Sequence, residues 1–172
     1  MTRLCSSKHF RPGLSRSSVR GLGMVAAASG LIAAVPPANA NPTFAPLLGS
    51  WGGSGTYQLA DGSSERITCD AYYTGGGSQL GIAVRCAGQT NKIEMRSKLS
   101  ASGSALSGSW EERTYNAGGK VTGTLTETVL SLTISGGVEG AMKITYSPTQ
   151  QNVAINAQGI PLKSVTIALS RK

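Results

Sequence analysis

The chain has 172 residues, and its formal net charge of +8 arises from 16 basic and 8 acidic residues. Five of the basic residues lie within the first forty, so residues 41–172 contain 11 basic and 8 acidic residues, a net charge of +3. So small a charge argues against nucleic-acid binding. The single histidine, His9, also lies in the first forty residues, which excludes histidine-based catalysis and histidine-ligated zinc or haem from the remainder.

The first forty residues have the three parts of a secretory signal peptide. A basic segment without acidic residues precedes an apolar stretch of 15 residues from Gly21 to Val35, and Ala38-Asn39-Ala40 forms an A-x-A cleavage site. The apolar stretch is shorter than the about 20 residues that a spanning helix needs. We therefore predict a signal peptide over residues 1–40, cleaved after Ala40, and a periplasmic or secreted protein that does not insert into the membrane as an integral protein.

Residues 41–48 follow the predicted cleavage site and contain two prolines, Pro42 and Pro46. A short segment of this kind beside a new terminus is usually poorly ordered. We expect a flexible N-terminal arm here, and a single domain from residue 49 to residue 172.

Short β-rich segments separated by glycine-, serine- and asparagine-containing turns fill the rest of the chain. No stretch has a sustained helical period. The predicted strands are Gly49–Leu59, Glu65–Tyr73, Gln79–Ala87, Lys92–Ala101, Ala105–Tyr115, Lys120–Glu127, Val129–Ser135, Ala141–Ser147, Asn152–Ala157 and Leu162–Ser170.

Cys69 and Cys86 lie in the second and third predicted strands and are the only cysteines after residue 40. Opposed residues of a hairpin have a constant index sum, and the sum for this pair centres the turn between Gly77 and Ser78, inside a glycine run. The two side chains can therefore face each other across the strands. In an oxidising compartment this predicts a structural, inward-facing disulfide.

Eight to ten antiparallel strands with one apolar face must close on themselves or pack as two sheets, because no helix is available to cover them. Short turns between sequential strands favour an up-and-down meander. The predicted fold class is thus all-β, a single antiparallel barrel with one disulfide. Few aromatic residues and no aromatic girdles argue against a membrane barrel.

The segment Leu47-Leu48-Gly49-Ser50-Trp51-Gly52-Gly53-Ser54-Gly55 resembles the opening strand of lipocalin-like (calycin) barrels, which begin with G-x-W. It is more specifically similar to the L-L-G-x-W-x-G-x-G opening of nitrobindin-type barrels. The resemblance implies that Trp51 closes one end of the barrel, with Arg171 as its cover. Nitrobindin-type barrels bind haem through a histidine, which residues 41–172 lack, so we expect no cofactor.

Chemical candidates are few. If Trp110 faces inward, Glu112 does so as well, since alternate strand residues share a face. A buried carboxylate needs a partner, so a polar pocket is expected at this place if anywhere. Calcium ligation by the segment from Asp61 to Glu65 is excluded by its shortness, and no catalytic residue or metal site is predicted.

Three functions are left by this reasoning; an enzyme ranks third because no nucleophile or acid/base residue stands out, so the chain is predicted not to be an enzyme. The first is a barrel that binds a small apolar or amphipathic ligand. The candidate contacts are Ile93, Met95, Trp110, Glu112, Met142 and Tyr146. The alternative is an envelope interaction protein, such as a periplasmic protease inhibitor that acts through its surface and an N-terminal arm, Asn41 to Pro46.

Overall fold

The computed structural model describes residues 43–172, and the predicted signal peptide lies outside the described residues. Ten strands form, in chain order: β1 Gly49–Leu59, β2 Ser64–Gly76, β3 Gln79–Ala87, β4 Lys92–Ser102, β5 Ala105–Glu112, β6 Ala117–Leu125, β7 Val129–Gly136, β8 Glu139–Tyr146, β9 Gln150–Gln158 and β10 Leu162–Arg171. The strands arise where apolar and polar residues alternate, and the turns arise at the glycine-containing breaks.

The ten strands form one closed antiparallel barrel, in which each strand pairs with its neighbours in sequence and β10 pairs with β1. The prediction of an all-β, up-and-down barrel is therefore confirmed. Closure leaves no unpaired sheet edge, which removes the usual site of edge-to-edge aggregation.

The turns alternate between the two ends of the barrel. One end, called the closed end, contains the start of β1, the end of β10 and the turns at residues 77–78, 103–104, 126–128 and 147–149. The other, called the open end, contains the turns at residues 60–63, 88–91, 113–116, 137–138 and 159–161.

The disulfide is confirmed: Cys69 and Cys86 are directly opposed in the β2–β3 pairing, and their sulfur atoms are bonded. Both side chains are buried, as expected for a structural bridge. The turn is shorter than predicted, because β2 continues to Gly76 and only Gly77 and Ser78 separate the two strands.

The β5–β6 connection also differs from the sequence prediction. β5 ends at Glu112 rather than Tyr115, and the turn comprises residues 113–116. Two features explain why β5 ends early. The Glu112 carboxylate accepts a hydrogen bond from the backbone N–H of Tyr115 at 2.7 Å, and Asn116 adopts a positive φ of 55°. A local side-chain contact of this kind offers the backbone an alternative to the ladder.

In the structure, residues 43–48 of the predicted arm pack against the barrel. Ala45–Leu47 form a short 3-10 turn, in which Phe44 is 1% exposed and Leu47 is not exposed at all. Both side chains belong to the core cluster of the barrel. Burial of the apolar surface of Phe44 and Leu47 favours this packed arrangement of the segment.

Candidate functional site

The closed end is plugged by a tryptophan from the first strand. Trp51 has no exposed surface, and its indole Nε1 donates a hydrogen bond to the carbonyl oxygen of Leu47 at 2.8 Å. The Arg171 guanidinium carbon lies 4.3 Å from the centroid of the Trp51 ring. The structure thus places Trp51 and Arg171 together at the end of the barrel.

A layer of hydrogen-bonded polar side chains lies next to Trp51 at the closed end. The Tyr73 hydroxyl donates to Gln151 Oε1 at 2.9 Å, and both residues are buried. Burial raises the pKa of the Tyr73 hydroxyl far above its usual range, so it is protonated and acts as a donor. On the same side, the Tyr146 hydroxyl donates to the carbonyl oxygen of Thr126 at 3.0 Å. These bonds pair both hydroxyl groups at the closed end, whereas the buried amide nitrogen of Gln151, Nε2, has no hydrogen-bond partner within residues 43–172.

On most strands the exposure of inward-facing side chains rises from the closed end to the open end, whereas Tyr57, Ile67 and Val165, near the open end of β1, β2 and β10, are only 2–4% exposed. At the closed end, Leu130 is fully buried. Further along the barrel, Val153 is 8% exposed, and Ile134 and Trp110 are each 9% exposed. Closest to the open end the inward-facing apolar side chains are only partly buried; they include Leu59, Val84, Ile93, Met95, Ile155 and Leu162. The apolar side chains at the rim of the open end are therefore partly accessible to solvent, and those further inside are buried.

The structure brings some of the predicted ligand contacts together and separates others. Ile93 and Met95 lie at the start of β4, beside the open end, and Trp110 faces inward nearby on β5. Met142 is also inward-facing and packs in the core cluster. Tyr146 lies at the last position of β8, at the closed end, and its hydroxyl is already bonded to Thr126.

Glu112 faces inward with Trp110 but does not form an isolated polar pocket. Its two carboxylate oxygens accept the backbone N–H groups of Glu94, at 2.8 Å, and of Tyr115, at 2.7 Å. The indole Nε1 of Trp110 donates to the carbonyl oxygen of Ser135 at 3.1 Å. Glu112 is therefore a rim residue that connects β4 to the 113–116 turn, and its oxygens are occupied.

A hydrogen-bond network at the open end joins β1 and β2 to the 88–91 turn. It was not predicted from the sequence. The Glu65 carboxylate accepts hydrogen bonds from the Tyr57 hydroxyl, from the backbone N–H groups of Gln89 and Thr90, and from the Thr90 hydroxyl. These donors, the Thr90 hydroxyl first and the Tyr57 hydroxyl next, lower the pKa of the Glu65 carboxyl to about 2.

The network continues across the mouth through Asn91. Its Nδ2 donates to the Tyr57 hydroxyl at 2.7 Å, and its Oδ1 accepts from the Tyr115 hydroxyl at 3.2 Å. The 88–91 and 113–116 turns are thereby held against each other. One sequence signal could have found this: Glu65 has the same strand parity as Ile67 and Cys69, so it had to face inward.

No group of three or more cysteine, aspartate, glutamate or histidine side chains lies close enough to hold a metal ion within residues 43–172. That range contains no histidine, so haem ligation through histidine does not fit its residues. In the part of the chain that the structure describes, no helix is long and apolar enough to cross a membrane.

Comparison with known proteins identifies the fold. No protein-family model matches the sequence, and no curated protein matches it. The crystal structure of Rv2717c from M. tuberculosis superimposes with a TM-score of 0.63 at 15% identity, covering 75% of this chain and 94% of that chain. The S-type phycobiliprotein lyase CPES from Guillardia theta gives a TM-score of 0.53 at 13% identity, covering 75% of this chain and 90% of that one.

These similarities support a lipocalin-like (calycin-like) ten-stranded barrel. They also correct one prediction. The chain was predicted not to be an enzyme, and this is contradicted by the second neighbour, which is named as a lyase. Because this barrel occurs in a lyase, the absence of a recognisable catalytic motif is no ground for excluding catalysis.

Proposed function

We propose that the protein is an exported barrel that binds a small apolar or amphipathic ligand, which enters through the open end. The observation that supports this most directly is the rise in exposure of inward-facing apolar side chains from the plugged closed end to the open end. Ligand pockets in β-barrels lie in such mouths, where apolar walls meet a few placed polar groups.

Within this proposal, Ile93 and Met95 form the entrance, and Trp110 and Met142 contact the ligand inside the barrel. Glu112 shapes the rim through the two backbone groups that it accepts. Tyr146 lies at the far end and contributes to closure rather than to contact with the ligand. The polar groups nearest to the mouth are the hydroxyl and amide groups of Tyr57, Asn91 and Tyr115, which suit an amphipathic ligand with a hydrogen-bonding head.

The export proposal rests on the basic segment, apolar stretch and A-x-A site of residues 1–40. The Cys69–Cys86 disulfide supports it, because such bonds persist in oxidising compartments. Intact mass measurement of the protein from its own host tests it directly: a chain beginning at Asn41 in the periplasm or medium is expected, and an uncleaved chain in the cytoplasm would contradict it.

The inhibitor alternative is not favoured. It required a free arm to enter a protease cleft, and Phe44, the large apolar residue of that arm, is buried in the core cluster. Releasing it would expose the apolar surface that now seals the closed end.

The decisive experiment is native mass spectrometry of protein purified from its own host, combined with a fluorescence titration using 1-anilinonaphthalene-8-sulfonate. We expect a bound small molecule of reproducible mass that is released on denaturation, and displacement of the probe by that molecule.

The matched variants for this titration are Met95→Glu, which places a negative charge in the entrance, and Thr122→Glu, which places the same charge on the exposed outer face of β6. Met95→Glu should weaken binding of the anionic probe by at least about tenfold, since the new carboxylate lies opposite Glu112 with no cationic partner and repels the sulfonate. Equal probe affinity in the two variants, together with a ligand-free protein, would exclude the barrel interior as the binding site.

A further inference from the structure

The outer wall of the barrel has a groove that the proposed ligand site does not use. It has a volume of about 400 Å³ and lies across the outer faces of β2 to β5. Its floor is made of the small residues Gly81 and Ala83 of β3, and its sides include Tyr72 of β2 and Arg96 and Lys98 of β4. The groove exists because two small residues stand between larger ones on adjacent strands.

Three arginines converge beside this groove on a single carboxylate oxygen. Glu94 Oε1 lies 3.2 Å from Arg96 Nη2, 3.5 Å from Arg85 Nη2 and 3.6 Å from Arg113 Nη1. The Arg96 hydrogen bond, followed by the charges of Arg85 and Arg113, lowers the pKa of Glu94, which is therefore ionised. The single negative charge of Glu94 thus orients the three guanidinium groups, and two of their three positive charges remain uncompensated.

The contacts with Glu94 use only one nitrogen atom of each guanidinium group. Each guanidinium has five N–H donors in a planar fork that matches the oxygens of a phosphate or carboxylate. The three arginine side chains are between 45% and 70% exposed, so their remaining donors face solvent. Arginine is enriched where planar, bidentate recognition of phosphate matters.

The charge around the groove is positive even when the neighbouring acidic residues are counted. Arg85, Arg96, Lys98, Arg113 and Lys172 give five positive charges, and Asp70, Glu94 and Glu111 give three negative ones, a local net charge of +2. Residues 41–172 together have a net charge of +3. Most of that excess therefore lies at this one place on the surface.

An exposed aromatic ring stands on the other side of the groove. Tyr72 is 54% exposed, although most large apolar side chains of the described chain are buried. In the register, Tyr72 is opposite Ala83, and Ala83 is opposite Arg96. Tyr72 and Arg96 are thus two strand spacings apart, about 10 Å. A molecule with a single ring and an attached anionic group fits this span.

We propose that this groove binds a phosphate monoester attached to a flat ring, with the phosphate on the guanidinium groups of Arg85, Arg96 and Arg113 and the ring against Tyr72. A phosphate monoester suits the local charge because it carries between one and a half and two negative charges near neutral pH. The occupant is a free phosphorylated molecule or the monoester headgroup of a lipid, and these share one chemistry.

The test is an NMR-detected titration of the purified protein with phenyl phosphate, and with inorganic phosphate as the ring-free probe. Saturable shifts of the arginine Nε–H resonances are expected with both. Arg96→Gln combined with Arg113→Gln should weaken phenyl phosphate binding by about tenfold or more, because charge-assisted bonds are lost. The matched control, Lys143→Gln, removes one exposed cation from the outer face of β8 and should leave affinity within about twofold.

Two further variants separate a built site from a general basic patch. Tyr72→Ser should weaken phenyl phosphate by about fivefold and leave inorganic phosphate unchanged, since only the ring contact is lost. Glu111→Gln removes the carboxylate that lines the groove and should tighten both probes. Equal effects of the arginine and Lys143 variants, or shifts that do not saturate, would overturn the proposal.

Vesicles containing phosphatidic acid distinguish the two sources of the phosphate. Sedimentation with these vesicles that is lost in the double arginine variant and retained in Lys143→Gln assigns the phosphate to a lipid headgroup. Binding of phenyl phosphate without sedimentation assigns it to a free molecule. Neither result depends on the barrel interior, so failure here leaves the proposed ligand site intact.

Discussion

Arg171 lies over the indole ring of Trp51, with its guanidinium carbon 4.3 Å from the ring centroid. The same guanidinium donates hydrogen bonds of 2.7 Å to the carbonyl oxygens of Pro46, Leu48 and Pro148. One side chain from the last strand therefore holds the first strand, the segment before it and the 147–149 turn. This arrangement holds the segments of the closed end together.

Replacing Arg171 should destabilise the closed end of the barrel. Arg171→Gln removes the three carbonyl contacts and the cation above Trp51, and we expect a loss of about 2 kcal/mol in the free energy of unfolding, measured by urea denaturation. Arg171→Lys keeps the charge but cannot form the same fork, so it should recover only part of this loss. Lys163→Gln, on the same strand, serves as the control and should change stability by less than about 0.5 kcal/mol.

The disulfide should contribute to stability without contributing to ligand binding. Cys69 and Cys86 are separated by 17 residues, and closing a loop of this size stabilises by about 3 kcal/mol in the chain-entropy description. For a domain of this length, the double variant Cys69→Ala/Cys86→Ala should lower the melting temperature by about 10 °C. Calorimetry measures the shift. A loss of probe affinity in a variant that is still folded would assign the bridge a role in the site.

The low pKa of Glu65 predicts that the free energy of unfolding decreases in acid. Its pKa is about 2 in the folded protein and near 4.5 when unfolded, so the folded state favours the ionised form. The stabilisation is present above about pH 4.5 and is lost as the pH falls from 4.5 towards 2. We expect urea midpoints of the wild type to fall over this range, and the Glu65→Gln variant to lack that part of the fall.

Glu127→Gln is the control for this series, because Glu127 makes no side-chain hydrogen bond within residues 43–172 and is exposed. It should keep the pH dependence of the wild type. An unchanged pH profile in Glu65→Gln would mean that the hydrogen bonds from Tyr57 and Thr90 do not depend on the charge of Glu65.

The strand order and the disulfide could be predicted from sequence because both depend on local regularities. Alternation marks each strand, and the index sum of Cys69 and Cys86 fixes the register of one hairpin. In an up-and-down meander, neighbours in sequence are neighbours in space, so the topology follows from the strand order.

The features that the sequence did not reveal depend on contacts between distant segments. Burial of Phe44 depends on space at the closed end, which no local pattern reports. The link from Glu65 to Thr90 joins residues 25 positions apart through a loop conformation. The groove beside Tyr72 and Arg96 requires the register of three consecutive strands, each of which had to be known before the side chains could be placed together.

Close approach of neighbouring strands leaves no room for a side chain at several interior glycines of the barrel, of which Gly123 is an example. A Cβ atom built on Gly123 would lie 2.0 Å from the carbonyl oxygen of Ser131 and 3.0 Å from the Cα atom of Leu132, both on β7. Backbone atoms cannot move away without breaking the β6–β7 ladder. We therefore expect Gly123→Ala to destabilise the protein by about 3 kcal/mol, as an overpacked core does.

Gly81→Ala is the matched control, since its Cβ would meet the side-chain hydroxyl of Thr74 at 2.7 Å, and a side chain can rotate away. Its cost should stay below about 1 kcal/mol when both variants are compared by urea denaturation. A Gly123→Ala protein as stable as Gly81→Ala would mean that β6 and β7 can separate locally. The barrel wall would then be compliant at this position, and the interior could widen for a ligand without the open end changing.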